Sequence, residues 1–315
     1  MGVEWVVTVH AASVEEATAA AEAALDRVET IEQVLSDYDP HSEVSRLTVA
    51  MARAPGKAFA VSDDLAAALE QSLTFFRQTH GAFDVTVGPL TGLWRQARKT
   101  GRLPNPKKLA AALASTGSDA VSLEAADDGP RVSVAQAATR LDFGGIGMGY
   151  AIDEAMRLLK DRGITSAMID SSGDIAVSGP PPGRTHWRIA VPPLMRHAAE
   201  ATDHQPTPTL ALVHAAVATS GDAYQAVMID GVRYSHIVDP RTGLGVVGPT
   251  AVTVIAGDAT TADALSTATS VLGPVEGLAL IEDLEGTAAR FSWVDDDGLL
   301  RVESSPAWDA FLEGR

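Results

Sequence analysis

Residues Leu141-Asp142-Phe143-Gly144-Gly145-Ile146-Gly147-Met148-Gly149-Tyr150 join a strand expected over 139–143 to a helix expected over 150–162. Gly163 stops that helix. An acidic residue, Asp170, ends the next expected strand. This arrangement invites a dinucleotide-binding reading, in which glycines make a tight turn and bring a pyrophosphate to a helix N-terminus. The spacing rejects it. With Gly145 and Gly147 as the first pair, the third glycine belongs at 150, where Tyr150 stands. No Lys-Ser/Thr pair follows, so the run is not a Walker loop either. What is left is a glycine turn ahead of a helix, serving either close helix–strand packing or backbone approach to a phosphate.

Working outward, the pattern groups its elements. Residues 3–9 alternate as a strand, and Ser13 with Glu16 opens a long helix reaching about Leu35. Ser62, followed by Asp63 and Asp64, starts a second helix ending near Gly81, and Asn105-Pro106 starts a third. Strands are expected at 132–134, 165–170, 174–178, 211–219, 226–229, 232–238 and 250–256. Asp230-Gly231 and Asp297-Gly298 read as hairpin turns. A helix over 261–272 ends at Gly273, and Pro274 starts another. Residues 197–208 are polar and Pro-containing, a surface loop. Strands and helices come in groups rather than in strict alternation, which points to an α+β fold. No linker or repeat divides the chain, so a single domain over residues 1–315 is expected.

Composition narrows the function. The 315 residues are 46% hydrophobic and 21% charged, enough to bury a core. There is no cysteine, which excludes disulfides, thiolate metal sites and cysteine nucleophiles. A net charge of -17 argues against a nucleic-acid partner and an anionic membrane surface; it suits a divalent cation or a positively charged protein, or serves solubility alone. No run approaches the ~20 apolar residues of a membrane span, and no basic-then-apolar export signal is visible.

Four segments carry chemistry. Tyr234-Ser235-His236-Ile237-Val238-Asp239-Pro240-Arg241-Thr242-Gly243 ends a strand in a turn and gathers His, Asp, Arg and Thr there. His236 suits a general base near neutral pH, or a structural role on the strand. Asp263 and Thr267 are four apart on an expected helix, so they share a face. A carboxylate beside a hydroxyl suits a hard cation, though an ordinary helix start has the same pattern. Gly81-Ala82-Phe83-Asp84-Val85-Thr86-Val87-Gly88-Pro89-Leu90 buries one carboxylate in an apolar run, which must be hydrogen-bonded or serve a ligand. Thr219-Ser220-Gly221-Asp222 is a weak nucleotide-contacting loop.

Taken together in chain order, the segments resemble the ApbE-like flavin transferase family, the FAD:protein FMN transferases. Leu35-Ser36-Asp37-Tyr38, Ser42-Glu43-Val44-Ser45-Arg46 and Ser171-Ser172-Gly173-Asp174-Ile175 add to the match, which spans nearly the whole chain. The resemblance implies an ApbE-like, T-fold-like mixed α/β catalytic fold with a flavin cleft between two subdomains. It implies FAD as substrate, Mg²⁺ as cofactor, and an acceptor protein whose Thr or Ser hydroxyl receives FMN while AMP leaves. Met1, Tyr38, Ala82, Phe83, Asp84, Asp142, Met148 and Ile237 fall on flavin-binding positions. Gly145, Asp263 and Thr267 fall on metal positions, and His236 with Asp239 on the catalytic strand end. Relatives usually carry Lys or Glu where this chain has Met148, which bears on FAD affinity and pose, and a more glycine-rich pattern where it has Ser171-Ser172-Gly173. FAD hydrolysis to FMN and AMP, or FAD binding without turnover, are the alternatives within the resemblance. It also implies a place at the cell envelope, on the periplasmic side, with the cytoplasm open because this chain shows no signal or anchor.

Overall fold

The computed structural model describes residues 2–191, 207–221, 226–295 and 297–314. In chain order, β1 (Trp5–His10) leads into α1 (Val14–Leu35). Then come α2 (Glu43–Arg53), β2 (Phe59–Ala60), α3 (Asp63–Gln78), α4 (Gly88–Thr100) and α5 (Pro106–Leu113). The hairpin β3 (Val121–Ala126) and β4 (Gly129–Val134) precedes α6 (Gly147–Asp161). Strands follow as β5 (Ser166–Ser171), β6 (Asp174–Val177), β7 (Trp187–Ala190), β8 (Thr209–Leu212) and β9 (Ala215–Gly221). Next are β10 (Ala226–Ile229), β11 (Val232–Val238), β12 (Gly245–Val247) and β13 (Thr250–Ala256). Helix α7 (Ala259–Glu282) and strands β14 (Ala288–Val294) and β15 (Leu300–Ser304) complete the chain.

Local chemistry sets the helix starts. The Ser13 hydroxyl accepts from the Glu16 N–H, the Ser62 hydroxyl from Leu65, and the Asn105 side chain from Lys107 and Lys108. Asp230 and Gly231 both take positive φ (50° and 81°), as the two-residue hairpin between β10 and β11 requires. Gly163 follows α6 at φ 82°. Helix α7 is broken at Gly273 (φ 80°, ψ 179°), just ahead of Pro274.

The chain forms two compact units, each assembled from separate segments. The first takes Glu29–Gly147 and Ala226–Val247. It holds two antiparallel three-stranded sheets, β2-β4-β3 and β10-β11-β12. One core of this unit packs Leu90 and Trp94 of α4 against Ile229, Tyr234 and Val238. The second unit takes Gly2–Val28, Met148–Gln225 and Gly248–Arg315. Its seven-stranded antiparallel sheet runs β1-β5-β6-β9-β13-β14-β15, with β7 and β8 as a separate pair. Trp187, Leu210, Leu212, Ile255 and Trp308 fill a core in this unit. Helix α7 is the one helix among the described residues long and apolar enough to cross a membrane by length and composition. It is mostly buried within its own unit and packs on β9 and β13.

The mixed α+β class is as expected, and several boundaries differ. The first strand starts at Trp5 and reaches His10. The strand expected over 139–143 is a single parallel bridge between Arg140 and Val87. There the chain lies along the 84–88 loop, with the Asp142 N–H donating to Val85 O, before it turns into the glycine run. The strand expected over 211–219 is two, β8 and β9, because His214 takes φ 48° and donates its N–H to Ser178 O. Helices α2 and α4 have no counterpart among the expected elements. Met1, Asp222 and residues 197–206 of the expected polar loop lie outside the described residues.

Candidate functional site

In the first unit the expected flavin-binding residues Tyr38 and Asp142 meet through α4. Thr91 and Arg95 are four apart on this helix and share a face. The Thr91 hydroxyl donates to Asp142 Oδ2 at 2.6 Å, and the Arg95 guanidinium reaches the same oxygen at 3.2 Å. Asp142 Oδ1 accepts the Gly144 N–H at 2.9 Å, an Asx turn that starts the glycine run. Arg95 also pairs with Asp37 at 2.7 Å, and its guanidinium lies 4.1 Å from the Tyr38 ring centroid. Burial and the Asp142 charge raise the Asp37 carboxyl above its usual range, against the pull of Arg95. A cavity of about 530 Å³ opens beside these groups, lined by Tyr38, Arg53, Gly88, Gly92, Arg95 and Arg140 among others. Gly88 is forced by close approach, since a β-carbon there would stand 2.7 Å from Arg140 Cβ and O.

The 81–84 segment leaves α3 through His80 and Gly81, both at positive φ. Ala82 and Phe83 are buried, Phe83 edge-on to Phe75. Asp84 is also buried, and its oxygens accept from the N–H and hydroxyl of both Thr86 and Ser118. The lone carboxylate of this apolar run is thus satisfied by hydrogen bonds within its unit.

His236 lies on β11 within an irregularity. Tyr234 pairs with Val247 and Val238 with Gly245, so four steps along β11 face two along β12. Such a bulge re-aims side chains and is common beside active sites. Tyr234 and Val238 are buried on either side, Tyr234 edge-on to Trp94, whose indole N–H donates to Ser235 O at 2.8 Å. His236 between them is half-buried, and Ile237 is buried. Asp239 accepts from the Arg241 backbone N–H at 2.8 Å and pairs with its guanidinium at 3.0 Å. The Gly243 N–H donates to Asp239 O, which closes the turn.

The second unit gathers carboxylates and hydroxyls around the start of α7. Gly149 of α6 packs on Ala259 and Thr260 so closely that a β-carbon would lie 2.3 Å from Ala259 O. Its N–H donates to Asp263 Oδ2 at 3.1 Å. One turn further along α6, Asp153 accepts the N–H groups of Ala259 and Thr260 at 2.8 Å each, and the Thr260 hydroxyl as well. Asp258 caps α7 by accepting from the Thr261 N–H. Ser220 on β9 lies 2.7 Å from the Ser266 hydroxyl and 3.4 Å from that of Thr267. Asp174 accepts the Thr219 N–H at 3.3 Å. Met148 receives a 2.7 Å contact from the Ser171 hydroxyl to its sulfur.

Burial governs the charge here. It pushes Asp263 up to about 7, with the Gly149 N–H opposing and the Asp153 charge adding. It pushes Asp153 up to about 6, against its hydrogen bonds from α7. Enclosure and the Asp263 charge raise Asp174 well above the usual carboxylate range. Among the described residues, no lysine or arginine forms an ion pair with Asp153, Asp174 or Asp263. Carboxylate and hydroxyl oxygens are the donors a hard cation takes, and a cation bound here would relieve the uncompensated charge. No group of three His, Cys, Asp or Glu residues converges as a protein cage among the described residues. Gly145 lies in the first unit, in the turn ahead of α6.

Arg95, Thr91, Asp153 and Asp174 were not assigned roles from sequence. A signal for α4 existed in Gly88-Pro89 followed by apolar Leu90, Leu93, Trp94 and Ala97 at helical spacing.

The fold and these constellations are matched by known proteins. The solved structure of the Vibrio cholerae flavin transferase ApbE superimposes with a TM-score of 0.85 at 28% identity, over 99% of this chain and 96% of its own. The ApbE protein of Thermotoga maritima gives 0.82 at 31% identity, over 98% and 96%. A Treponema pallidum (strain Nichols) protein named FAD:protein FMN transferase is 32% identical over 289 residues, 87% of this chain and 78% of its own length. The architecture is thus that of the solved flavin transferases. A model of the ApbE family matches residues 1–291, and the chain belongs to that family.

Proposed function

We propose that this protein is an FAD:protein FMN transferase, a single catalytic domain that moves FMN from FAD to a Thr or Ser hydroxyl of an acceptor protein. The observation that carries this reading is the likeness, over 87% of the chain, to a relative named for that activity. His236 takes the proton of the acceptor hydroxyl. The hydroxyl oxygen then attacks the phosphorus of the FMN half, and the bridging P–O bond breaks. Its electron pair leaves with AMP, so one phosphoester forms as one phosphoanhydride is lost. Asp263 and Thr267 are the residues that would hold Mg²⁺. When bound, Mg²⁺ supplies the positive charge that phosphoryl transfer needs and that this acidic protein lacks there. Asp239 holds the turn that sets the His236 strand end, with Arg241 as its partner. Tyr38, Phe83, Asp142, Met148 and Ile237 serve the flavin, and the glycine run leaves its backbone open to the diphosphate. By family likeness the protein works at the cell envelope.

Two variants test the roles separately. His236→Ala is expected to bind FAD normally and to transfer no FMN; transfer at the normal rate overturns the base assignment. Asp263→Ala is expected to lose both activity and response to Mg²⁺; an unchanged metal titration overturns the cation site.

A further inference from the structure

Tyr38 is 77% exposed, an unusual place for a ring expected to order a ligand. An exposed side chain samples several rotamers, and fixing one costs conformational entropy. The structure supplies a brace. The Arg95 guanidinium lies over one face of the ring, 4.1 Å from its centroid, within cation–π range. Arg95 is itself held from two sides, by Asp37 at 2.7 Å and Asp142 at 3.2 Å. Asp37 precedes Tyr38 in the chain, so one guanidinium holds both the ring and the carboxylate of the residue beside it. Asp142 is in turn fixed by Thr91 and Gly144. With two carboxylates against it, Arg95 has its charge compensated and is a poor hook for a diphosphate. Its planar fork is spent on alignment, a use that lysine does not reproduce.

We propose that Arg95 is a positioning residue, which pins the Tyr38 ring by one face and presents the other to the flat ring system of the ligand. This rests on the reading that the ligand is FAD. The isoalloxazine ring is the group that stacks there, and the adenosine diphosphate half is indifferent to Arg95.

The test is a double-mutant cycle on the full chain, read with two probes. Riboflavin binding is followed by quenching of its fluorescence, and ADP binding by calorimetry, with thermal midpoints recorded for every variant. Arg95→Ala is expected to weaken riboflavin binding by roughly three- to tenfold, the size of a partly desolvated cation–π contact. It is expected to leave ADP binding unchanged. In a Tyr38→Ala background the same substitution is expected to change riboflavin affinity by under about twofold. Tyr38→Phe, which keeps the ring, is expected to preserve the full effect. Equal losses in both backgrounds, or no loss in either, overturn the inference while leaving FAD as the ligand. Failure of the unmodified protein to bind either FAD or riboflavin overturns the FAD reading itself, and this inference with it. Should Arg95→Ala not fold, Arg95→Lys enters the same cycle. It is expected to show a smaller loss that again vanishes without Tyr38, and a loss that persists overturns the proposal.

Discussion

The backbone N–H of Gly149 donates to Asp263 Oδ2 at 3.1 Å, at a point where α6 and α7 touch too closely for any side chain at 149. One glycine therefore does two things. It permits the helix crossing, and it aims a donor at the carboxylate assigned to the cation. Gly149→Ala would place a β-carbon 2.3 Å from Ala259 O, which is backbone and cannot swing aside. The expected cost is about 2–3 kcal/mol in urea unfolding, with weakened Mg²⁺ binding. Gly92→Ala is the control, because a β-carbon there meets nothing within 4 Å. It should be neutral or stabilise by up to about 1 kcal/mol.

Asp153 caps α7 from a different helix, by satisfying the Ala259 and Thr260 N–H groups. Asp153→Ala orphans both donors and is expected to destabilise the fold by about 2–3 kcal/mol. Asp153→Asn keeps one acceptor oxygen and should cost less. Urea unfolding of the two variants orders them, and equal stability would remove the capping role.

The pH dependence of stability follows from the same cluster. Asp153 and Asp263 are raised from 3.8 to about 6 and about 7. Well below the unfolded value of 3.8 both are protonated in folded and unfolded chains alike. Between there and about pH 7 the folded state keeps protons that the unfolded chain gives up. Stability contributed by these groups is therefore lost as pH rises through that window, on the order of a few kcal/mol in the metal-free protein. Asp174 is shifted in the same direction and adds to the slope. Mg²⁺ is expected to raise the thermal midpoint more at pH 7.5 than at pH 5.5, because only the ionised cluster attracts it. Thermal scans with and without Mg²⁺ at the two values check this, and equal increments would contradict it.

Gly243 takes φ 71° in the turn after β11, and a β-carbon would meet Leu109 at 2.6 Å and Leu90 at 2.8 Å. Gly243→Ala is expected to cost about 1–3 kcal/mol through backbone strain and crowding. Because the turn anchors the strand carrying His236, kcat should fall by more than KM changes. Steady-state kinetics at a temperature where the variant stays folded separates the two.

The elements with local chemical punctuation were legible in the sequence. Ser13, Ser62 and Asn105 cap the helices they were expected to cap, and Asp230-Gly231 turns the hairpin it was expected to turn. The glycine run opens the expected helix, and the close approach at Gly149 is of helix on helix, where the sequence offered helix–strand packing or room for a phosphate. What was missed depends on distant partners. Residues 139–143 look like a strand by composition, yet their neighbour is the 84–88 loop, 50-odd positions away in the chain, and it forms only one bridge. The break at His214 is a left-handed residue with no glycine to announce it. Arg95 links Asp37 to Asp142, a relation that exists only once α4 brings them together. Asp84 shows the converse, since its burial was legible and its four hydrogen-bond donors, from Thr86 and Ser118, were not.

The most direct test of the central claim incubates the full chain with FAD, Mg²⁺ and a Thr-containing acceptor domain, then weighs the products by mass spectrometry. The account predicts an acceptor heavier by one FMN less a water, one AMP released per acceptor modified, and flavin fluorescence that stays with the denatured acceptor. Free FMN and AMP with an unmodified acceptor, or FAD recovered intact, would contradict it.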